Sequence, residues 1–427
     1  MKIIGKGRLQ IRFIITGLIT LFFIFVFHIN FSFADNITIG VCIEGLYKNY
    51  PLVKNPKYYD GITDINIANI SKEWAPAIYL RGSASNQTDG IPALDKEKIQ
   101  LNLEIEQMIY DGGLTGNRKK LENAYRYSRI KKIEIELYSL KEKVCKIYFE
   151  TMLAEERITI YETTLSDLKS RYNSIESAVR NGVKLKNDLR QIKSEIINIE
   201  QDLISNQNRR KAMIEILNEL TGLKINFSDK LEDPDMTVPV FNDFESNRRP
   251  ENFFYESEKK KLEIAGDISE AKTRPKINAF IQAGRGKPGL NMFENSTDNY
   301  AVAGIKLNWK IYDWNLAGNE KSSNKLERKA IESQKEAFNK NIKNLLMELY
   351  YEIESLKKII ILDKENIELR SEILDVILSQ YNNGVITATE YLINSNNLLN
   401  AKNLLKAHEI QLKYYIANFK IIRGDSL

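Results

Sequence analysis

Asn181-Gly182-Val183, followed six residues after its glycine by Asp188, returns as Asn383-Gly384-Val385, followed at the same distance by Glu390. The two stretches lie 202 positions apart in a chain of 427 residues. Working outward, Ile109-Tyr110-Asp111 returns as Ile311-Tyr312-Asp313, and Gly222 as Gly424, at the same offset. Pro51 and Pro76 return as Pro250 and Pro275, 199 positions on. Ordered matches with one shift identify a duplication, with three residues inserted between Pro275 and Ile311.

The glycines sit between heptad runs. Ile130, Ile133, Leu137, Leu140, Val144, Ile147 and Thr151 begin a seam, three and four residues apart, that continues to Tyr172 without Pro or Gly. A second seam runs from Leu189 to Leu220, interrupted by Asn206 and Arg210. A third runs from Ile342 to Tyr381, with Asp363 and Arg370 as breaks, and a fourth from Tyr391 to Phe419 with His408 inside it. Each half is therefore expected to make a helical hairpin that folds back at Gly182 or Gly384. Six heptads at 1.5 Å per residue span roughly 60 Å, longer than an ordinary globular domain is wide.

Upstream of each hairpin the period changes to two. Ile99, Leu101, Leu103, Ile105 and Ile109 alternate with Lys98, Gln100, Asn102, Glu104 and Glu106. Ala301, Ala303, Ile305, Leu307, Trp309 and Ile311 alternate with Lys306, Asn308 and Lys310. Partner strands are expected at Ala77–Ser85 and Lys276–Arg285. Asn86–Lys96 and Gly286–Asn299 read as loops. Short helices precede the strands, at Cys42–Tyr50, about Asp60–Trp74 and about Pro250–Thr273.

Composition excludes several classes. Nine Pro suit long uninterrupted elements, and 43% hydrophobic residues suit packed cores. Two Cys and two His leave no disulfide scaffold and no Cys- or His-built metal cluster. No Ser/His/Asp set and no phosphate-cradling glycine loop is apparent, so neither an enzyme nor a cofactor is expected. His408 and Cys145 read as packed helix residues.

The net charge of +5 reports destination. Lys2, Lys6, Arg8 and Arg12 precede the apolar run Phe13–Ile29, and Ser32-Phe33-Ala34 follows as a cleavage pattern. Residues 1–34 read as a secretory signal, with an uncleaved anchor as the alternative. Removing four positive charges takes +5 to +1, and a nucleic-acid partner loses its electrostatic basis. Cys42, past the apolar run and behind Val41, is a poor lipidation site.

An exported chain with alternating strands of ten to thirteen residues has the pattern of an outer-membrane barrel. Four strands cannot close one, for which about eight are needed. An open sheet in lipid leaves edge groups unpaired at several kcal/mol each. Either the sheet is soluble, or several chains share one barrel. Export and helix length favour the second.

The ordered set resembles the TolC-type outer-membrane efflux channel family over essentially the whole mature chain. Ile109-Tyr110-Asp111-Gly112-Gly113 and Ile311-Tyr312-Asp313-Trp314 look like its strand-to-helix turn. Arg249-Pro250-Glu251 resembles the start of its second repeat, and Tyr381-Asn382-Asn383-Gly384 with Glu390 its hairpin tip. The resemblance implies an α+β, mostly α fold of two tandem repeats: 35–224, with a β-hairpin at about 77–111 and a helical hairpin at about 114–221, and 225–427, with the same parts at about 276–313 and 316–423. It implies a homotrimer with a shared outer-membrane barrel of 12 strands and a periplasmic α-barrel. The whole would be a passive exit duct in the outer membrane, docked by a periplasmic adaptor and an inner-membrane pump. A periplasmic coiled-coil adaptor is the alternative, disfavoured because adaptors normally carry one hairpin between lipoyl-like β segments.

The resemblance also assigns residues. Glu390 looks like the acid of a constriction ring, with Asp188 its counterpart and Tyr381 the tip aromatic that hydrogen-bonds in the closed gate. Glu390 equally suits a solvated acid at a helix N-terminus. Two family positions depart, at Ile386 (usually basic) and Ile393 (usually acidic). Either the charged latch is absent, or Lys184 replaces it. Adaptor docking would fall on Asn181, Gly182, Val183, Asn383, Gly384 and Val385. Tyr110, Trp309, Tyr312 and Trp314 would form the periplasmic aromatic girdle or pack ordinarily.

Overall fold

In the computed structural model, residues 37–86, 97–240, 244, 248–291, 293–294 and 296–425 are described. The expected signal sequence and the segment 87–96 lie outside them. The first half contains α1 (Ile39–Asn49), a 3-10 turn (Pro51–Lys54), α2 (Asn55–Lys72), β1 (Ala77–Asn86), β2 (Glu97–Tyr110), α3 (Leu114–Arg180) and α4 (Lys186–Thr221). The second contains α5 (Pro250–Ala271), β3 (Lys276–Lys287), β4 (Asp298–Asn308), α6 (Leu316–Asn382) and α7 (Ala388–Arg423).

The duplication is visible in lengths. Helices α3 and α6 each have 67 residues, and α4 and α7 each have 36. Both pairs start 202 positions apart. At 1.5 Å per residue the long helices run roughly 100 Å and the short ones roughly 54 Å. The short helix of each hairpin thus covers only the tip-side half of its partner. The other half of α3 is met by α2 and α5, and that of α6 by α5.

The seams become the interior. Ile192, Ile196 and Ile199 of α4 meet Leu165, Leu168 and Ile175 of α3 in a core near the tips. Leu217 and Ile214 pack with Val144, Tyr148 and Phe149 around α1 midway along the molecule. Ile342, Leu346 and Ile353 of α6 close on Ile416 and Phe419 of α7. The seam interruptions are used. Asp363 of α6 meets His408 of α7 at 2.6 Å. Arg210 donates to the carbonyls of Phe227 and Asp229, tying the inter-repeat segment to α4. The Arg249-Pro250-Glu251 motif opens α5: the buried Arg249 guanidinium reaches Glu251 at 2.6 Å, Glu142 at 3.4 Å and the Ile422 carbonyl at 3.3 Å.

The strands form one antiparallel sheet in the order β1-β2-β3-β4. The last strand is shorter than its alternation suggests. It ends at Asn308, because β3 begins at Lys276 and Lys276 pairs with Asn308. Beyond it the backbone has no partner strand among the described residues, and the Trp309 indole N–H donates to the Thr273 carbonyl instead, at 3.1 Å. Among the described residues no helix is long and apolar enough to cross a membrane.

Removing Arg249 strands two carboxylates in a largely buried setting. Arg249→Ala is expected to lower stability to chemical denaturation by about 3 kcal/mol. Arg249→Lys restores only part of it, since an ammonium lacks the planar fork that spans both acids.

Candidate functional site

The sheet has two unlike faces. Register places Ile78, Leu80, Leu103, Ile105, Ile281 and Ile305 on one face, and all of them are exposed. Arg285 and Lys287 interrupt this face only at its far end, opposite Leu101 and Ile99. The opposite face is mainly polar, with Phe280 and Val302 among its residues, and is tied crosswise. Arg81 meets Glu104 at 2.8 Å, Asn278 donates to Glu106 at 2.7 Å, and the Tyr300 hydroxyl donates to Asn102 at 2.6 Å. The alternation at 98–106 foretold two faces. The pairing of Arg81 with Glu104 was not legible, because register across β1 and β2 is set by the loop between them.

Each strand pair enters its long helix through an aspartate. Asp111 accepts from the backbone N–H groups of Gly113 and Thr115 at 2.8 and 2.6 Å. Burial alone would raise its pKa, but the hydrogen bonds from Thr115 and Gly113 bring it below the usual range. Asp313 accepts likewise from Ala317 at 3.0 Å. Tyr110, Trp309, Tyr312 and Trp314 gather at these junctions, all exposed, with Tyr312 and Trp314 edge to face at 4.9 Å between centroids.

At the other end both hairpins turn by the same device. Val183 N–H donates to the Ala178 carbonyl and Val385 N–H to that of Gln380, each at 2.9 Å. Gly182 and Gly384 take φ of +74° and +75° with open space around them, so backbone conformation and not crowding requires glycine there. Asn181, Val183, Asn383 and Val385 are exposed.

The tips of the two hairpins meet through Tyr381, which is 3% exposed. Its ring stacks on Tyr391 at 5.5 Å and 20°. The Lys184 ammonium sits 4.0 Å from the Tyr381 centroid and donates to its backbone carbonyl. Thr389 donates to Gln191 at 3.1 Å across the same junction. Among the described residues the Tyr381 hydroxyl is buried and without a hydrogen-bond partner. Desolvation, then the nearby charges of Asp188 and Tyr391, push its pKa up to about 12. Glu390 is exposed in the first turn of α7, where its N–H is capped by the Thr387 hydroxyl at 3.3 Å. Asp188 takes the same place in α4, behind Leu185, which offers no capping side chain. Tyr391 and its cationic neighbour Arg171, 5.2 Å from the ring, were not foreseen as part of this junction. Tyr391 had read only as a seam residue, and Arg171 lies on another helix.

No family model matches the chain, and no curated protein matches it. Solved structures do. The chain resembles CusC, described for conformational changes in folding and transmembrane channel formation, at 15% identity over 91% of this chain and 92% of that one, TM-score 0.69. It resembles the outer-membrane channel OprN at 13% identity over 91% and 90%, TM-score 0.70. It resembles the open state of the outer-membrane channel MtrE of Neisseria gonorrhoeae at 16% identity over 91% and 89%, TM-score 0.66. The fold is therefore that of these channels, mostly helical with one small antiparallel sheet.

The Tyr381 environment gives a titration test. Because its folded pKa lies above the ordinary value of about 10, the unfolded chain loses that proton first as pH rises. The associated stability is present below about pH 10 and lost as pH climbs through about 12. The phenolate absorbance present in the wild type and missing from Tyr381→Phe is expected to titrate near 12. Asp188→Asn removes a negative neighbour and is expected to move that midpoint down.

Proposed function

We propose that this protein is the outer-membrane exit duct of a tripartite export system, a passive channel formed by three copies. The observation that carries the reading is the sheet: one face apolar and uncovered, both edges unpaired, mounted on helices about 100 Å long. An even number of antiparallel strands lets β4 of one copy pair with β1 of the next without reversing direction. Three copies give about 12 strands, within the range of outer-membrane barrels. The polar face, with Arg81, Glu104 and Asn102, then lines the lumen. Tyr110, Trp309 and Tyr312 lie at the periplasmic membrane boundary, with Trp314 beside them.

The helical wall has matching free edges. In one chain the helices adjoin in the order α4, α3, α7, α6. Ile160 of α3 and Leu399 of α7 both belong to the tip core. Their counterparts at offset 202, Leu362 of α6 and Ile197 of α4, lie exposed on the two outer helices. A ring of copies covers them as the chain covers the first pair, closing a periplasmic tunnel.

At the tunnel tip Glu390 contributes one carboxylate per copy around the axis, with Asp188 behind it. Like charges held close attract cations and raise each other's pKa. Lys184 takes the place of a latch by tying the first hairpin to Tyr381 of the second. The exposed turns Asn181-Gly182-Val183 and Asn383-Gly384-Val385 receive a periplasmic adaptor that couples the duct to an inner-membrane pump. The reading calls for no catalytic step. A coiled-coil adaptor accounts for neither the second hairpin nor the four-stranded sheet.

Material from outer membranes is expected to have the mass of a trimer in detergent and to conduct ions in planar bilayers. A soluble periplasmic monomer would overturn the reading. Glu390→Gln is expected to lower cation over anion permeability in the same bilayers. Unchanged selectivity would leave Glu390 as a helix-N-terminal acid only.

A further inference from the structure

The charges on the polar face of the sheet balance along most of its length and fail to balance at one end. Register places Lys98 and Asp298, of opposite sign, on that face at the end away from the helices. In the middle Arg81 meets Glu104 at 2.8 Å. At the helix end stand Lys306, opposite Asn278, and Lys276, opposite Asn308. The two lysines are diagonal neighbours on one face, roughly 7–8 Å apart. Lys310, exposed, follows just past the end of β4. Among the described residues neither the Lys276 nor the Lys306 ammonium makes a hydrogen bond or an ion pair. The acid at this end of the face, Glu106, accepts from Asn278 at 2.7 Å. It lies on β2, two strand spacings from Lys306, or roughly 10 Å. Asp111 and Asp313 are committed to the N–H groups at the helix entries.

A neighbouring copy does not supply the missing carboxylate. Strand β4 of one copy would meet β1 of the next, and β1 carries no acid. Its residues Ala77–Asn86 include one charge, Arg81, already held by Glu104. The corner before it, Trp74-Ala75-Pro76, is uncharged, and Glu73 is taken by Arg118 at 2.8 Å. Closing the barrel therefore leaves two adjacent cations per copy without a counter-charge. They stand within the screening length of roughly 10 Å at 0.1 M salt, so they repel each other, and the backbone ladder asks for a cation at neither position.

We infer that Lys276 and Lys306 form a cationic ring at the helix end of the barrel, where they bind the acid groups of departing cargo. The inference rests on the exit-duct reading, in which the polar face lines the lumen. The class of cargo follows from the charge. A carboxylate, phosphate or sulfonate supplies the counter-charge that the wall lacks, and an ammonium accepts any of them as a point charge. A bare metal cation would meet repulsion at the same level. The duct therefore suits organic molecules that bear an acid group, alone or together with a cationic one. The ring is opposite in sign to the Glu390 carboxylates proposed at the tunnel tip, so the two ends of the duct favour different ions.

Planar bilayers test the ring. Under a salt gradient, Lys306→Gln and Lys276→Gln are each expected to raise cation over anion permeability, the reverse of Glu390→Gln. Lys306→Arg keeps the charge and is expected to leave the ratio unchanged. The shift in Lys306→Gln should grow as salt falls, because the screening length rises to roughly 30 Å at 0.01 M. Inorganic tripolyphosphate, added on the barrel side, is the anionic probe. It is expected to reduce the wild-type conductance. Lys306→Gln should need roughly fivefold more of it for the same block, the worth of one contact between unit charges at 4 Å in water. Lys306 is exposed, so Lys306→Gln carries the test if the half-buried Lys276 proves necessary for assembly. A conducting Lys306→Gln trimer in which either the permeability ratio or the block matches the wild type overturns the ring and leaves the duct intact. A wild type that never conducts overturns both.

Discussion

Strands β1 and β4 each present a row of backbone N–H and C=O groups that, among the described residues, no other strand pairs. In water such edges invite association, and in hydrocarbon each unpaired group costs several kcal/mol. Much of the rest of the molecule follows from that constraint. The paired Ile and Leu residues of the sheet all lie on one side, and on that face positive charge is confined to Arg285 and Lys287 of the inner strand β3. In the proposed duct, pairing with the strands of neighbouring copies satisfies the edges. A unit of four antiparallel strands can be repeated around an axis, and the helices below must repeat with it. That is consistent with α6 and α4 carrying exposed Leu362 and Ile197 on the two flanks of the wall.

Duplication supplied two near-identical backbones, but only one of the two repeat-to-repeat interfaces lies inside a chain. In the proposed duct the other is made between copies, and the two differ in side chains. Leu114, buried, and its counterpart Leu316, exposed, are the clearest instance. The tips differ in the same way. Thr387 caps α7, whereas Leu185 leaves α4 uncapped, and Lys184 stands where the second repeat has Ile386. Equal helix lengths keep the two hairpins level, while unequal side chains let Lys184 reach across from one to the other.

Much of this architecture was legible in the residues. The offset of 202 located both tip glycines, and alternation located the strands within a few residues. What stayed hidden depends on register between elements. Asp363 and His408 each read as a flaw in its own heptad seam, and only the hairpin brings them to 2.6 Å. Spacing along one helix says which residues face inward, not what stands opposite. The end of β4 was placed three residues late for a related reason. Trp309 and Ile311 keep the alternation, but strand pairing stops where the partner strand starts, and that limit is written at Lys276.

The tip shows how small the opposing terms are where the hairpins join. A cation over an aromatic ring contributes about 0.5–2 kcal/mol, and a stacked aromatic pair about 0.5–1.5 kcal/mol beyond its burial. Against these stands the buried Tyr381 hydroxyl, whose missing hydrogen bond costs about 1–3 kcal/mol. The ring contacts and the missing hydrogen bond are of similar size, so the junction of Lys184, Tyr381 and Tyr391 rests on the Lys184 hydrogen bond to the Tyr381 carbonyl and on the burial of the ring. A movement that brings the hydroxyl to water recovers its hydrogen bond while giving up the stack. In the proposed duct, a partner bound at Val183 and Val385 needs to supply only a few kcal/mol to shift that balance, which is within the range of ordinary coupling between sites.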